Sequence, residues 1–87
     1  MTKSINGYAK IGGLTIQWGH LPLTGNTAKT VTFPTPFANG CLNVQLTIAD
    51  NTEGGYIAFV NAKTKTNFTV FQYGKSSKNC YWLAIGY

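Results

Sequence analysis

Cys80-Tyr81-Trp82-Leu83-Ala84-Ile85-Gly86-Tyr87 closes the chain without one charged side chain. Chain ends are normally frayed and solvated, so an end this apolar has to be buried. Read with the two-residue period of a strand, Tyr81, Leu83 and Ile85 point one way and Cys80, Trp82 and Ala84 the other. Both faces are apolar. A half-solvated antiparallel sheet would show water a polar face. The simplest cover for both faces of so small a chain is further copies of itself.

Working back from this strand, five more segments carry strand signals. Leu14–Trp18 alternates Leu14, Ile16 and Trp18 against Thr15 and Gln17. Lys29–Phe33 alternates Val31 and Phe33 against threonines. Cys41–Ala49 sets Leu42, Val44, Leu46 and Ile48 against Asn43, Gln45 and Thr47. Tyr56–Ala62 and Thr66–Tyr73 are apolar on both faces in places, and Cys80–Gly86 is the sixth. Gly25-Asn26, Pro34-Thr35-Pro36, Asn39-Gly40, Gly54-Gly55 and the stretch from Gly74 to Asn79 punctuate them. No helical periodicity survives. The pattern predicts an all-β fold, a small antiparallel sandwich or barrel.

Eighty-seven residues make one domain with a thin core. Charged residues are 10% of the chain, against roughly 25% in an average soluble domain, so part of the surface reads as interface. The net charge of +5 comes from seven scattered lysines and no arginine. Without Arg, bidentate recognition of bases and phosphates is unsupported, which argues against a nucleic-acid partner. The lysines read as solvated surface charge, with a weak pull on anionic glycans or headgroups. Met1-Thr2-Lys3-Ser4 has no apolar leader and no stretch has the length to insert in a membrane. Cys41 and Cys80 each open a strand, so both could lie near one end of a sheet, but two buried free thiols are the expected state.

Catalytic chemistry is sparse. Asp50 and Glu53 are the only side-chain carboxylates and share one polar turn; a glycosidase pair needs two carboxyls flanking a bond in different environments. His20 has no triad partner, and the His and Cys spacing fits no metal site. Three copies of His20 on an axis could hold a metal; a plain loop histidine is the simpler reading. No cofactor and no enzymatic activity are expected. Trp18, Phe33, Phe37, Phe59 and Phe68 are read as core, and Trp82 as a subunit contact contributing about 2–3 kcal/mol per chain.

If each connection reverses the chain, the loops at 19–28, 50–55 and 74–79 share one end. The turns at 34–40 and 63–65, the lead-in at 1–13 and the C-terminus share the other. The three loops gather His20, Asn26, Asp50, Asn51, Glu53, Lys75 and Lys78, bordered by Tyr56 and Tyr73. These nine are the candidate receptor-binding residues. The two tyrosines read equally well as stacking surfaces or as amphipathic strand ends with wet hydroxyls.

Three motifs carry a resemblance. Gly13-Leu14-Thr15-Ile16-Gln17-Trp18-Gly19, Val31-Thr32-Phe33-Pro34-Thr35-Pro36-Phe37 and Tyr81-Trp82-Leu83-Ala84-Ile85-Gly86-Tyr87, in that order and spacing, resemble the C-terminal domain of bacteriophage and prophage tail fibre proteins. The likeness spans residues 7 to 87; Ile11-Gly12 stands where relatives often carry a proline. The resemblance implies a homotrimeric all-β tip on an upstream fibre shaft, with residues 1–13 as the lead-in and 14–87 as the single domain. Trp82, Tyr81, Ile85 and Tyr87 are then the expected trimer interface. It implies a place at the distal end of a virion's tail fibre, assembled in the host cytoplasm. There it would bind a bacterial surface glycan such as lipopolysaccharide, or an outer-membrane protein. The alternative is a structural cap that trimerises the fibre without a receptor site of its own; a depolymerase is disfavoured by the shortage of carboxylates.

Overall fold

A computed structural model describes residues 5–49, 57–74 and 77–87. The expected all-β fold is present, with seven strands among the described residues in two antiparallel sheets. The strands are β1 (Gly7–Ile11), β2 (Leu14–Leu23), β3 (Thr27–Thr32), β4 (Cys41–Ile48), β5 (Ile57–Lys63), β6 (Asn67–Tyr73) and β7 (Lys78–Gly86). The first sheet runs β1-β2-β7-β4 and the second β3-β6-β5. The C-terminal strand is therefore interior to the larger sheet, paired with β2 from Thr15↔Gly86 to Leu23↔Lys78 and with β4 on its other side.

The two sheets close on a core drawn from both: Leu21, Leu23, Cys80, Trp82 and Ala84 from the first, Phe68 and Val70 from the second. Phe33 and Phe37 fill one end. Their segment cannot be a strand, because Pro34 and Pro36 lack the N–H a ladder needs. It crosses the end of the sandwich instead, tied by Phe33 N–H to Thr66 O at 2.9 Å and Phe37 N–H to Lys65 O at 2.8 Å. Gln17, fully buried, takes the place of a strand partner for Thr35. Its Nε2 donates to Thr35 O at 2.7 Å, and Thr35 N–H donates to Oε1 at 3.0 Å.

The three motifs interlock. At Gly19 an added Cβ would meet Asn6 Oδ1 and the indole of Trp82, with Cε2 at 2.6 Å. At Gly86 it would meet Gly40 O and the Phe37 ring, with Cδ1 at 2.6 Å. Trp82 thus lies over the bare backbone of Gly19, and Phe37 over that of Gly86.

Several expectations are corrected. Residues 7–11 are not a lead-in: β1 pairs with β2 from Gly7↔Trp18 to Ile11↔Leu14 and is the edge of the larger sheet. Asn6 Oδ1 accepts from His20 N–H at 3.1 Å. The described chain thus begins two-thirds of the way along β2 and runs down to the Gly12-Gly13 turn, so the lead-in and the C-terminus do not share an end. Trp82 is not an interface residue but lies 3% exposed in its own core, edge-on to Phe68 at 5.2 Å and Phe33 at 5.8 Å. Trp18 and Phe59, read as core, lie on outer faces, half-buried and 38% exposed respectively. A bulge between Cys41 and Asn43 shifts the alternation and turns Leu42 out to 54% exposure.

The cysteines open neighbouring antiparallel strands and so lie at opposite ends. Cys41 pairs with Gly86, whereas Cys80 pairs with Ile48. Seven residues of strand separate them by roughly 20 Å, far beyond the reach of a disulfide. Both are buried free thiols.

Candidate functional site

Three surfaces compete for function. The first is the outer face of the β1-β2-β7-β4 sheet. The inward half of β7 is Cys80, Trp82, Ala84 and Gly86; the outward half is Tyr81, Leu83 and Ile85. Cross-strand pairing sets Ile16 beside Ile85, Trp18 beside Leu83 and His20 beside Tyr81, and β1 extends the face with Ala9 and Ile11. Leu14, Tyr81, Leu83 and Ile11 are 41–61% exposed. On the β4 flank the same face turns polar, with Asn43, Gln45 and Thr47 opposite Ile85, Leu83 and Tyr81. An apolar centre with a polar margin is how a protein contact is built. Of the expected interface residues, Tyr81, Ile85 and the half-exposed Tyr87 remain available, and Trp82 does not.

The second surface is the end that carries the β2–β3 and β6–β7 turns. Within each sheet neighbouring strands are antiparallel. Asn26, in a left-handed backbone conformation (φ 51°), accepts from Gly74 N–H through Oδ1 at 3.1 Å, tying the two turns together. Tyr73 and Lys78 are the strand residues next to them. His20 is not in a loop: it lies on β2, its ring 5.0 Å from Tyr81, with Nε2–H donating to Asn79 Oδ1 at 2.9 Å. It borders an open cleft of about 350 Å³ between β2 and β3, shared with Asn6, Lys29, Thr32 and Trp82. Lys29 Nζ donates to Pro22 O at 3.0 Å across its mouth. Asp50, Asn51, Glu53, Tyr56 and Lys75 lie outside the described residues.

The third surface was not expected. On the outer face of β3-β6-β5, Phe59, Phe71 and Tyr73 form a cluster with ring centroids 4.9–5.9 Å apart. The pairings Phe59↔Phe71 and Ile57↔Tyr73 put all four side chains on the side away from the buried Phe68, Val70 and Gln72. The signal was present in Phe71 and Tyr73, which alternate with those buried residues; the size of Phe59 hid it by suggesting core.

Titration adds little to these surfaces. Burial pushes both thiols above their usual range, with Lys63 and a backbone contact at Asn43 pulling Cys41 partly back. Among the described residues no three His, Cys, Asp or Glu side chains gather as metal ligands.

The sequence profile of the family described as tail fiber protein gp53-like, C-terminal, matches residues 10–87. The chain belongs to this family. It is a tail fibre C-terminal domain, a component of a phage-type tail. No curated protein sequence matches it. Among solved structures, an N-truncated R2-type pyocin tail fibre matches with TM-score 0.90 at 21% identity, over 99% of this chain and 36% of that one. A C-terminal piece of the P. aeruginosa R2 pyocin fibre matches with TM-score 0.91 at 20% identity, over 99% of this chain and 25% of its own. An N-truncated R1-type pyocin tail fibre matches with TM-score 0.82 at 22% identity, over 99% and 83%. The fibre domain therefore shares the fold of these proteins, and spans only about a third of the first.

Proposed function

We propose that this fibre domain is the receptor-binding tip of a phage tail fibre, and that it works as a homotrimer with the β1-β2-β7-β4 sheet turned inward. One observation carries the assembly: β7 fills the core with one face and leaves Tyr81, Leu83 and Ile85 uncovered on the other. A fibre with a threefold axis would bring three such faces together, with β4's amides and hydroxyls at the rim. The domain acts by binding and not by catalysis, as the lone carboxylate-bearing turn of the sequence suggested. The upstream shaft supplies the rest of the fibre, and the bacterial surface supplies the partner.

Light scattering on the purified chain should give three times its 9.4 kDa, and the labelled trimer should decorate intact cells of a susceptible strain. A monomer at micromolar concentration removes the assembly. A trimer that binds no cell favours the structural cap. Shortened polysaccharide after incubation would make the domain a depolymerase.

A further inference from the structure

We propose that the outer face of the β3-β6-β5 sheet is a saccharide platform that takes a sugar ring of a surface glycan. This rests on the reading of the domain as a receptor-binding tip. The described aromatic rings fall mainly in three places. Phe33, Phe37, Phe68 and Trp82 are inside; Trp18 and Tyr81 lie on the outer face of the first sheet; Phe59, Phe71 and Tyr73 are together on the outer face of the second. Phe59 and Phe71 have no polar atom to offer, so their use on a wet surface is through ring faces. The negative faces of such rings accept the polarised C–H groups that line one side of a pyranose.

A sugar also brings hydroxyls that need partners, and the platform borders on them. Thr30 and Thr69 pair across β3 and β6, their hydroxyl oxygens 3.3 Å apart, one register step from Ala28↔Phe71. Ala28 is small and exposed, which leaves the β3 side of Phe71 open. The other sheet presents a broader apolar face, with Trp18 and Tyr81 among Leu14, Ile16, Leu83 and Ile85, which suits a second copy. The two outer faces point away from each other, so a trimer closed on one leaves the other on the outside of the fibre.

The test uses the fluorescently labelled full chain and intact cells of a strain, found in a bacterial panel, that it decorates. Periodate, which cleaves vicinal diols, should abolish binding to those cells, and protease treatment should spare it. Tyr73→Ala and Phe59→Ala should each weaken binding about tenfold. Melting temperature and oligomeric mass should not change; Tyr73, 53% exposed, is the variant least coupled to folding. Wild-type binding retained by both aromatic variants overturns the platform while the tip reading stands. So does binding that resists periodate and is lost to protease, or a change of oligomeric mass in a variant. If the chain decorates no strain, the tip reading fails and takes the platform with it.

Discussion

Gly19→Ala should be strongly damaging, as should Gly86→Ala, where the new Cβ would meet Gly40 O and the Phe37 ring. At Gly19 the new Cβ would lie 2.6 Å from Trp82 Cε2 and closer still to Nε1 and to Asn6 Oδ1. Ordinary carbon contacts are about 3.5–4.0 Å, so something must yield by about 1 Å. The indole cannot withdraw, because Phe68 and Phe33 stand edge-on against it at 5.2 and 5.8 Å. The backbone cannot withdraw either, because Gly19 pairs with Trp82 inside the β2–β7 ladder. Overpacking costs about 1–3 kcal/mol, and with both sides fixed the upper end applies. The lower entropy of the unfolded alanine chain returns only about 0.4–1 kcal/mol.

A net loss of roughly 2 kcal/mol corresponds to about 8–16 °C in melting temperature for a domain of this size. Thermal and denaturant unfolding of purified variants would measure it. Gly13→Ala is the control, since nothing lies within 4 Å of its Cβ position and its φ is not positive; it should be neutral or slightly stabilising. If G19A melts within 2 °C of G13A, the tight seat of Trp82 over β2 is wrong. Pairing G19A with Trp82→Phe should recover part of the loss as a non-additive term.

Three other outcomes follow from the same geometry. Leu83→Glu, at a side chain 48% exposed in the single chain, should leave the fold intact but reduce the proposed trimer to monomers by light scattering, because three carboxylates would be buried at the proposed threefold contact. Gln17→Leu strands the N–H and C=O of Thr35, at about 1–3 kcal/mol for each group left unsatisfied; denaturant midpoints should fall accordingly, and a midpoint equal to wild type would refute the clamp. Burial raises both thiol pKa values, so the folded chain holds these protons more tightly than the unfolded one. That stability is present below the unfolded value of about 8.5 and is lost as pH rises through the folded values. Melting temperature should decline on the alkaline side, less steeply in Cys80→Ala, and native thiols should resist alkylation until unfolded.

The strands were legible because alternation and turn residues survive in Leu14–Trp18, Cys41–Ala49 and Cys80–Gly86. Which face of β7 goes inside was not. With Tyr81, Leu83 and Ile85 on one side and Cys80, Trp82 and Ala84 on the other, hydrophobicity carries no sign, and the large indole was placed at a contact between subunits. The glycines hold the missing sign: Gly86 shares the parity of Trp82, and Gly19 is bare where the indole needs room. Gly7–Ile11 escaped because a five-residue edge strand with a glycine and a lysine has little pattern to read. Leu42 escaped because a bulge reverses parity without a sequence mark. The candidate receptor residues were gathered by counting chain reversals; that left Tyr73 and Lys78 by the β6–β7 turn but moved His20 onto a strand. It also relied on a lead-in at the far end, which β1 does not provide.

The interlocked motifs separate what identifies this domain from what it recognises. Gly19 and Trp82, Phe37 and Gly86, Gln17 and Thr35 are partners across the interior. Each joins two of the three stretches that resemble tail fibre tips. Such residues specify a frame, and a frame can be shared by proteins with unlike targets. Specificity has to come from side chains that can change without disturbing those seats. On the β3-β6-β5 face, Thr30, Phe59, Thr69 and Tyr73 meet that condition, since they point away from Phe68 and Val70. The outward side chains of β7 do not, because any change there alters every copy at the proposed threefold contact at once. On the proposed reading, a fibre would vary its target on one sheet and hold its assembly on the other.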